Sequence, residues 1–358
     1  MALSRDYLLK ALRHALWGNT FEEEINKDLF FHVMSLADEQ VVAGLVFDVL
    51  SSQKTQIGFD ATLAYIGQNV QIRSANSSLN DELKKFVKAA EDNKFDCIIV
   101  KGQTVGCLYP NPELRVSGDI DVFLKDEYSK SKRILERMMA VDLPEKLLEK
   151  ELSFFHGETR FDVHSNIVDF CCSKHQHYWD GMIKQIWDGC FFVEIEGVKV
   201  RTLPPTINAI YVFLHLFYHF IREGVALRQF CDWAMVLHSY KDKIDRGMLF
   251  DMLDGLGVVK AYRAFGTVIV DELGLAVDEF PIPLNDNDRK WKGMILDDVF
   301  KGGNFGRKNH LSTSTIGYKM ETMRLIVKNN LRYYGLAPAE MRMMIPKLIG
   351  INLKLLIG

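Results

Sequence analysis

The feature that most constrains the fold of this 358-residue chain is a pair of aspartates inside the apolar run "VSGDIDVFL". The apolar residues predict a short buried strand over residues 118–124. Side chains alternate between the two faces of a strand, so Asp119 and Asp121 point to one face while Ile120 points to the other. Two carboxylates this close repel each other unless they share a proton or bind a cation. The pair alone leaves two interpretations open: a cation site on this strand, or an aspartate that only caps a turn.

A third carboxylate is expected beside this pair. Residues 152–167 have the pattern of two strands joined at Gly157-Glu158, which predicts a hairpin. Asp162 lies between two apolar residues of the second strand, so the same alternation lets it face the same way as the first two aspartates. Mg²⁺ prefers hard oxygen ligands, and three carboxylates can hold two such ions roughly 4 Å apart. The three aspartates therefore predict a two-ion magnesium site.

The periodicity of apolar residues divides the chain into three parts. Helical spacing dominates 1–78, strand patterns alternate with helical segments over 79–203, and helical spacing returns over 204–358. A helix is expected to begin near 79, with Ser78 or Asn80 as its cap. We therefore expect an α+β fold in which a small mixed sheet is flanked by N-terminal helices and a C-terminal helical domain. The strands are predicted within 95–100, 118–124, 152–167 and 191–203. The last of these segments alternates and turns at Glu196-Gly197, which predicts a second hairpin.

Composition narrows the functional classes. Apolar residues make up 48% of the chain and charged residues 25%, which is ordinary for a globular protein. The net charge of −3 gives no overall electrostatic reason to expect nucleic acid as a partner. The six cysteines have no regular spacing, which is typical of free thiols in a reducing compartment. With no run of 18 uncharged apolar residues, we expect a cytoplasmic protein without a transmembrane segment.

A lysine–glycine pair follows the first predicted strand, in "IIVKGQ". Glycine allows backbone N–H groups to approach a phosphate closely, and Lys101 can add a positive charge. The alternative is that Lys101 and Gly102 form a plain turn between a strand and a short helix. Arg115, four residues before Asp119, is likewise either a phosphate contact or a solvated loop residue.

These motifs in this order resemble the DNA polymerase β-like nucleotidyltransferase superfamily. The segments that carry the resemblance are "IIVKGQ", "GDIDVF" and "RFDVH". The longer pattern resembles the bacterial branch usually described as uncharacterised nucleotidyltransferases. It adds Arg115, His164 and a later helical segment with His215, His219, Leu227-Arg228 and Asp232. The resemblance covers roughly residues 80–240.

The resemblance implies a magnesium-dependent transfer of a nucleoside monophosphate from an NTP, with ATP expected, to a small-molecule or protein acceptor. Asp119 and Asp121 would bind the magnesium ions that hold the triphosphate, and Asp162 would share the second ion and help to activate the acceptor. The residues implied at the nucleotide are Lys101, Gly102, Gln103, Arg115 and Gly118. Those implied near the acceptor, or behind the residues that contact it, are His164, His215, His219, Arg228 and Asp232.

Other interpretations remain open. Gln103 stands where the superfamily usually has a small hydroxyl residue, which favours as the alternative a non-catalytic nucleotide-binding or scaffold protein with the same fold. A phosphatase-like or kinase-like enzyme could use the same carboxylates, although the chain lacks a P-loop motif. His215 and His219 lack the glutamate of the zinc-protease motif. In "CCSKHQH", 171–177, adjacent cysteines are poor joint ligands for one zinc ion, so a structural metal is not favoured.

Overall fold

The computed structural model describes residues 2–19, 21, 24–52, 57–144, 151–304 and 315–357. The chain forms two compact units. The first comprises residues 1–34, 42–167 and 186–204, and the second comprises 35–41, 168–185 and 205–358.

Six strands form two sheets. The strands are β1 (Cys97–Val100), β2 (Asp119–Leu124), β3 (Glu151–His156), β4 (Thr159–His164), β5 (Phe191–Ile195) and β6 (Val198–Thr202). The larger sheet has the order β1-β2-β4-β3, with β2 parallel to β4 and the two outer pairs antiparallel. β5 and β6 form a separate antiparallel pair. Both predicted hairpins are confirmed, and Gly157 and Gly197 adopt the positive φ that their turns require.

The described helices cover most of the remaining chain. They are α1 (Ala2–Trp17), α2 (Lys27–Glu39), α3 (Ala43–Ser51), α4 (Phe59–Asp92), α5 (Gly102–Gly106), α6 (Tyr128–Met139), α7 (Ser173–Lys184), α8 (Pro205–Arg222), α9 (Leu227–Ser239), α10 (Arg246–Gly255), α11 (Val259–Asp271), α12 (Asp286–Arg289), α13 (Lys292–Gly302), α14 (Thr315–Tyr333) and α15 (Pro338–Ile357). A small mixed sheet with helices before and after it confirms the α+β expectation.

One face of the larger sheet carries the core of the first unit. Ile120, Val122 and Phe161 pack on this face with apolar residues of α4 and α6. The Phe161 ring is fully buried, 5.3 Å from the ring of Phe86 and 5.3 Å from that of Phe154. Because side chains alternate along a strand, this packing directs the aspartates of β2 and β4 to the opposite face.

The prediction that a helix begins at Ser78 or Asn80 is wrong, because α4 runs without a break from Phe59 to Asp92. Two asparagines in this part of α4, including the cap candidate Asn80, have tertiary partners instead. The Asn76 side-chain amide donates to the backbone oxygens of Glu113 at 2.9 Å and Arg115 at 2.8 Å. Asn80 donates to the Glu196 carboxylate at 2.6 Å. Tertiary hydrogen bonds therefore override the local capping preference of these residues.

The second unit has a helical, aromatic core. The Phe213 ring on α8 lies 5.2 Å from that of Trp233 on α9 and 4.8 Å from that of Tyr262 on α11. All three side chains are almost completely buried. This packing confirms the expected return to helices after Pro204. None of the helices in the described ranges combines the length and apolar character needed to cross a bilayer.

Candidate active site

The candidate site is built on the pairing of β2 with β4. In this parallel pair Asp121 lies opposite Asp162, and Asp119 lies opposite Arg160. The register confirms that the third predicted aspartate stands on the strand next to Asp121. Asp121 and Asp162 are 4% and 6% exposed, so two carboxylates occupy neighbouring, largely buried positions. Such an arrangement requires nearby positive charge.

Two side chains supply positive charge or protons to Asp121. Lys101 Nζ lies 2.9 Å from Asp121 Oδ1, and His164 Nε2 lies 2.8 Å from the same oxygen. Burial raises the pKa of Asp121, but the charge of Lys101 and the hydrogen bond from His164 outweigh it. The pKa of Asp121 is therefore held well below its ordinary value of 3.8, and the carboxylate is ionised at neutral pH.

Asp162 is compensated by a different cation. Arg160 Nε donates to Asp162 Oδ1 at 2.8 Å, while Arg160 Nη2 donates to the Ser153 hydroxyl at 3.0 Å on β3. The three aspartates do not form a compact group of ligand atoms, unlike one other cluster in the described chain. The carboxylates of Asp121 and Asp162 are bound to side chains of the protein instead. The strands and their register place the aspartates next to one another, as expected. Their carboxylate oxygens, however, do not lie close enough together to form a compact group of three ligands.

The donor set nevertheless fits magnesium. The aspartates of β2 and β4 offer hard oxygen ligands from one side of the sheet, and the low pKa of Asp121 keeps its carboxylate available as an anion. The neighbouring cations Lys101 and Arg160 are long and partly solvent-accessible, with side chains 18% and 44% exposed.

The Lys101–Gly102 turn is closely packed against the start of β2. Lys101 has a φ of 54°, an unusual conformation for a residue with a side chain, and Gly102 has a φ of 42°. A Cβ at Gly102 would lie 3.3 Å from the backbone oxygen of Asp119. The predicted short helix, α5, begins at this glycine. The turn therefore needs glycine both for its conformation and for the approach to Asp119.

Gln103 and Arg115 have partners within the protein. Gln103 donates a side-chain hydrogen bond to Asn80 on α4. Arg115 is only 4% exposed and donates to the Ser117 hydroxyl at 2.6 Å. The interpretation of Arg115 as a solvated loop residue is therefore wrong. Its buried guanidinium holds the loop that leads through Gly118 into β2.

The residues implied near the acceptor are divided between the two units. His164 lies on β4 in the first unit, where it contacts Asp121. In the second unit, the rings of His215 and His219 lie 4.3 Å apart on α8, and His219 Nδ1 is 3.2 Å from a Glu223 carboxylate oxygen. The two remaining members of this set, Arg228 and Asp232, lie one helical turn apart on α9.

The compact group of potential metal ligands in the described chain consists of Cys172, His175 and Glu340. The buried Glu340 carboxylate accepts hydrogen bonds from His175 Nδ1 at 2.6 Å and from the Tyr218 hydroxyl at 2.8 Å. It also accepts from the backbone N–H groups of Cys171 at 2.6 Å and Cys172 at 3.1 Å. Four donors satisfy this carboxylate, so the cluster is a hydrogen-bonded anchor in this structure.

Arg160, the partner of Asp162, and Glu340, the centre of the second cluster, were not predicted from the sequence. Arg160 lies two positions before Asp162 and therefore on the same face of β4, so the alternation rule could have identified it. Glu340 could not have been found in this way, because it lies 165 residues from His175 and no local pattern connects them.

Comparison with protein families gives one result that covers most of the chain. A family model described as "Uncharacterised nucleotidyltransferase" matches residues 30–272. Comparisons with curated proteins and with solved structures gave no significant match. The family match spans more than half of the 358 residues and includes the Lys101–Gly102 turn and all three aspartates. The chain therefore belongs to this uncharacterised nucleotidyltransferase family.

Proposed function

We propose that the protein is a magnesium-dependent nucleotidyltransferase of the DNA polymerase β type, with ATP as the expected donor. The acceptor would be a small molecule or a protein. The observation that carries the proposal is the register of Asp121 with Asp162 beside the Lys101–Gly102 turn, in a chain of a nucleotidyltransferase family. Its net charge of −3 is one reason not to expect nucleic acid as the acceptor.

Asp119, Asp121 and Asp162 would hold Mg²⁺. When bound, this ion supplies neutralisation of the charge on the triphosphate and on the leaving pyrophosphate. The protein's own cations have a related role. Lys101 and Arg160, which bind carboxylates in this structure, would turn towards phosphate oxygens when a nucleotide enters.

The remaining residues around the turn would position the donor nucleotide. Gly102 lets the backbone approach the triphosphate, and Gly118 leaves room beside the start of β2, since a Cβ there would meet nothing within 4 Å. Gln103 would contribute through its backbone, because its side chain is bound to Asn80. Arg115 would act by holding the loop before β2.

The reaction itself is a displacement at the α-phosphorus. An acceptor oxygen forms a bond to this phosphorus, the bond to the bridging oxygen of the β-phosphate breaks, and pyrophosphate leaves. Asp162 would help to activate the acceptor, while His164 orients Asp121 through their hydrogen bond. Catalysis of this kind depends mainly on positioning and on stabilisation of charge. For His215, His219, Arg228 and Asp232, the family resemblance implies a role near the acceptor or behind the residues that contact it.

The first experiment is a thermal-shift measurement with each of the four NTPs, with and without Mg²⁺. A ligand that binds only the folded protein raises its unfolding midpoint. We expect a magnesium-dependent shift in the wild type that is lost in Asp119→Asn and Asp121→Asn. Asp126→Asn is the matched control, because Asp126 is exposed just beyond β2. Retention of the shift in both active-site variants would contradict the proposed metal ligands.

Product analysis then separates the functional classes. Pyrophosphate release that depends on an added acceptor extract supports nucleotidyl transfer. Orthophosphate release would indicate a hydrolase instead. Nucleotide binding without either product, over a range of acceptor extracts, would favour the non-catalytic binding or scaffold protein.

A further inference from the structure

A cavity of about 360 Å³ lies in the first unit, away from the aspartates. It is lined by the C-terminal part of α4, β1 and the β5–β6 pair. This volume is in the range of small-molecule sites. Its lining includes Cys97 and Ile99 of β1. Ile99 lies opposite Val122 on β2, whereas Asp121 lies opposite Val100. By strand alternation, the cavity is on the face of the sheet opposite the carboxylates.

The inner wall of this cavity is apolar. Phe86, Ala90, Phe95 and Ile99 are all buried residues of the lining. Cys97 stays a neutral thiol, because burial raises its pKa to about 12. At the rim, Phe192 is a large aromatic side chain that remains 47% exposed. Such a wall with an exposed aromatic edge suits a ligand with an apolar body.

The rim of the cavity is more positive than negative. Three of its lining residues are cationic and two are acidic: Lys94, Lys199, Arg201, Glu91 and Asp96. One of the acids is already compensated, since Lys125 Nζ lies 2.7 Å from Asp96 Oδ2. Lys199 and Arg201 stand two positions apart on β6 and therefore on the same side of the strand. The rim thus favours an anionic group.

Arg201 provides a specific donor. Its Nη2 donates to the backbone oxygens of Trp187 at 3.3 Å and Gly189 at 3.1 Å, and its Nη1 lies 3.5 Å from Asp96. These contacts fix the guanidinium in place, and the Arg201 side chain is 17% exposed. An anionic group of a ligand at the rim can therefore reach a cation that is already held in position.

We propose that this cavity binds a small amphipathic anion, with an apolar or aromatic body against Phe86 and Ile99 and its single negative group at Arg201. This site is separate from the nucleotide site and does not depend on the function proposed above. Its occupant should bind whether or not the triphosphate site is filled.

The test uses a matched pair of fluorescent probes, 8-anilino-1-naphthalenesulfonate and its neutral analogue N-phenyl-1-naphthylamine. They share one aromatic skeleton and differ by the sulfonate. We expect the sulfonate probe to bind with one site per chain. Arg201→Gln should weaken its binding by about tenfold, the loss expected for a hydrogen bond to a charged group, and should leave the neutral probe nearly unchanged. Val87→Trp, which fills the cavity, should weaken both probes.

Two further variants keep the result interpretable. Lys199→Glu changes an exposed position at the rim and therefore tests the preference for an anionic ligand independently of Arg201. Circular dichroism would reveal whether Arg201→Gln disturbs the β5–β6 hairpin. Arg133→Gln, on the exposed side of α6, is the control and should change neither probe. Equal binding of the sulfonate probe to wild type, Lys199→Glu and Val87→Trp would overturn the proposal. Displacement of the probe by ATP with Mg²⁺ would also overturn it.

Discussion

Lys101 Nζ lies 2.9 Å from Asp121 Oδ1, so the cation of the turn after β1 is bound to the buried Asp121 carboxylate of β2. The Lys101 backbone adopts a positive φ of 54° to make this turn. Unusual backbone conformations of this kind persist where the surrounding structure enforces them, and they are frequent at functional sites. The pair therefore links the conformation of the turn to the charge of the candidate metal site.

Replacing Lys101 by methionine should separate the effect of its positive charge from the effect of its packing. Lys101→Met keeps a long side chain but removes the cation, so the magnesium-dependent thermal shift with ATP should shrink and nucleotidyl transfer should fall at least about a hundredfold. Lys125→Met, at an exposed position directly after β2, should leave both unchanged. Full transfer activity in Lys101→Met would show that Lys101 only compensates the charge of Asp121 while no metal is bound and plays no part in the reaction.

The glycine of the turn should be needed for activity more than for stability. Gly102→Ala places a Cβ 3.3 Å from the Asp119 backbone oxygen at a φ of 42°. We expect about 1–2 kcal/mol of destabilisation in urea unfolding and a much larger proportional loss of ATP binding. Gly181→Ala is the control, because a Cβ on that residue of α7 meets nothing within 4 Å. Wild-type ATP binding by Gly102→Ala would argue against a phosphate site at the turn.

The core beneath the aspartates should depend strongly on one aromatic ring. Phe161→Ala removes a fully buried side chain that packs against Phe86 and Phe154, and should lower the free energy of unfolding by about 3–5 kcal/mol. Phe59 is 80% exposed, so Phe59→Ala should change it by no more than about 0.5 kcal/mol. Chemical denaturation followed by tryptophan fluorescence measures both. Similar losses in the two variants would mean that Phe161 is not a core residue.

The buried Glu340 should make the second unit sensitive to acid. Burial raises the pKa of this carboxylate, but the donors His175, Tyr218 and two backbone N–H groups outweigh it and hold the pKa below 4.5. A lowered pKa means that the carboxylate stabilises the fold fully above about pH 4.5 and that this contribution is lost as the pH falls through the folded-state value.

Glu340→Gln should therefore cost about 3 kcal/mol at neutral pH. The difference from wild type should shrink as the pH falls below about 4.5, the ordinary pKa of glutamate. Urea unfolding at a series of pH values measures this difference. Glu158→Gln, at an exposed turn between β3 and β4, is the control and should follow the wild type. A difference that stays constant down to about pH 3 would rule out an ionised Glu340 as its source.

Local patterns of the sequence by themselves determined the strands, both hairpins and the common face of the aspartates. These features depend on alternation, on turn residues and on the short distance between Asp119 and Asp121 along one strand. The helix start expected near residue 79, with Ser78 or Asn80 as its cap, is wrong, because α4 continues through these residues and Asn80 is bound to Glu196, which lies far away in the chain.

Only the tertiary structure decided which strands are neighbours and which charges meet. The parallel pairing of β2 with β4, the contacts of Lys101 and His164 with Asp121, and the burial of Arg115 all join separate segments. Glu340 is the extreme case, because its partner His175 lies 165 residues away. Periodicity encodes which face of an element is apolar, but the partner of a buried charge is chosen by packing and by the cost of leaving that charge unpaired.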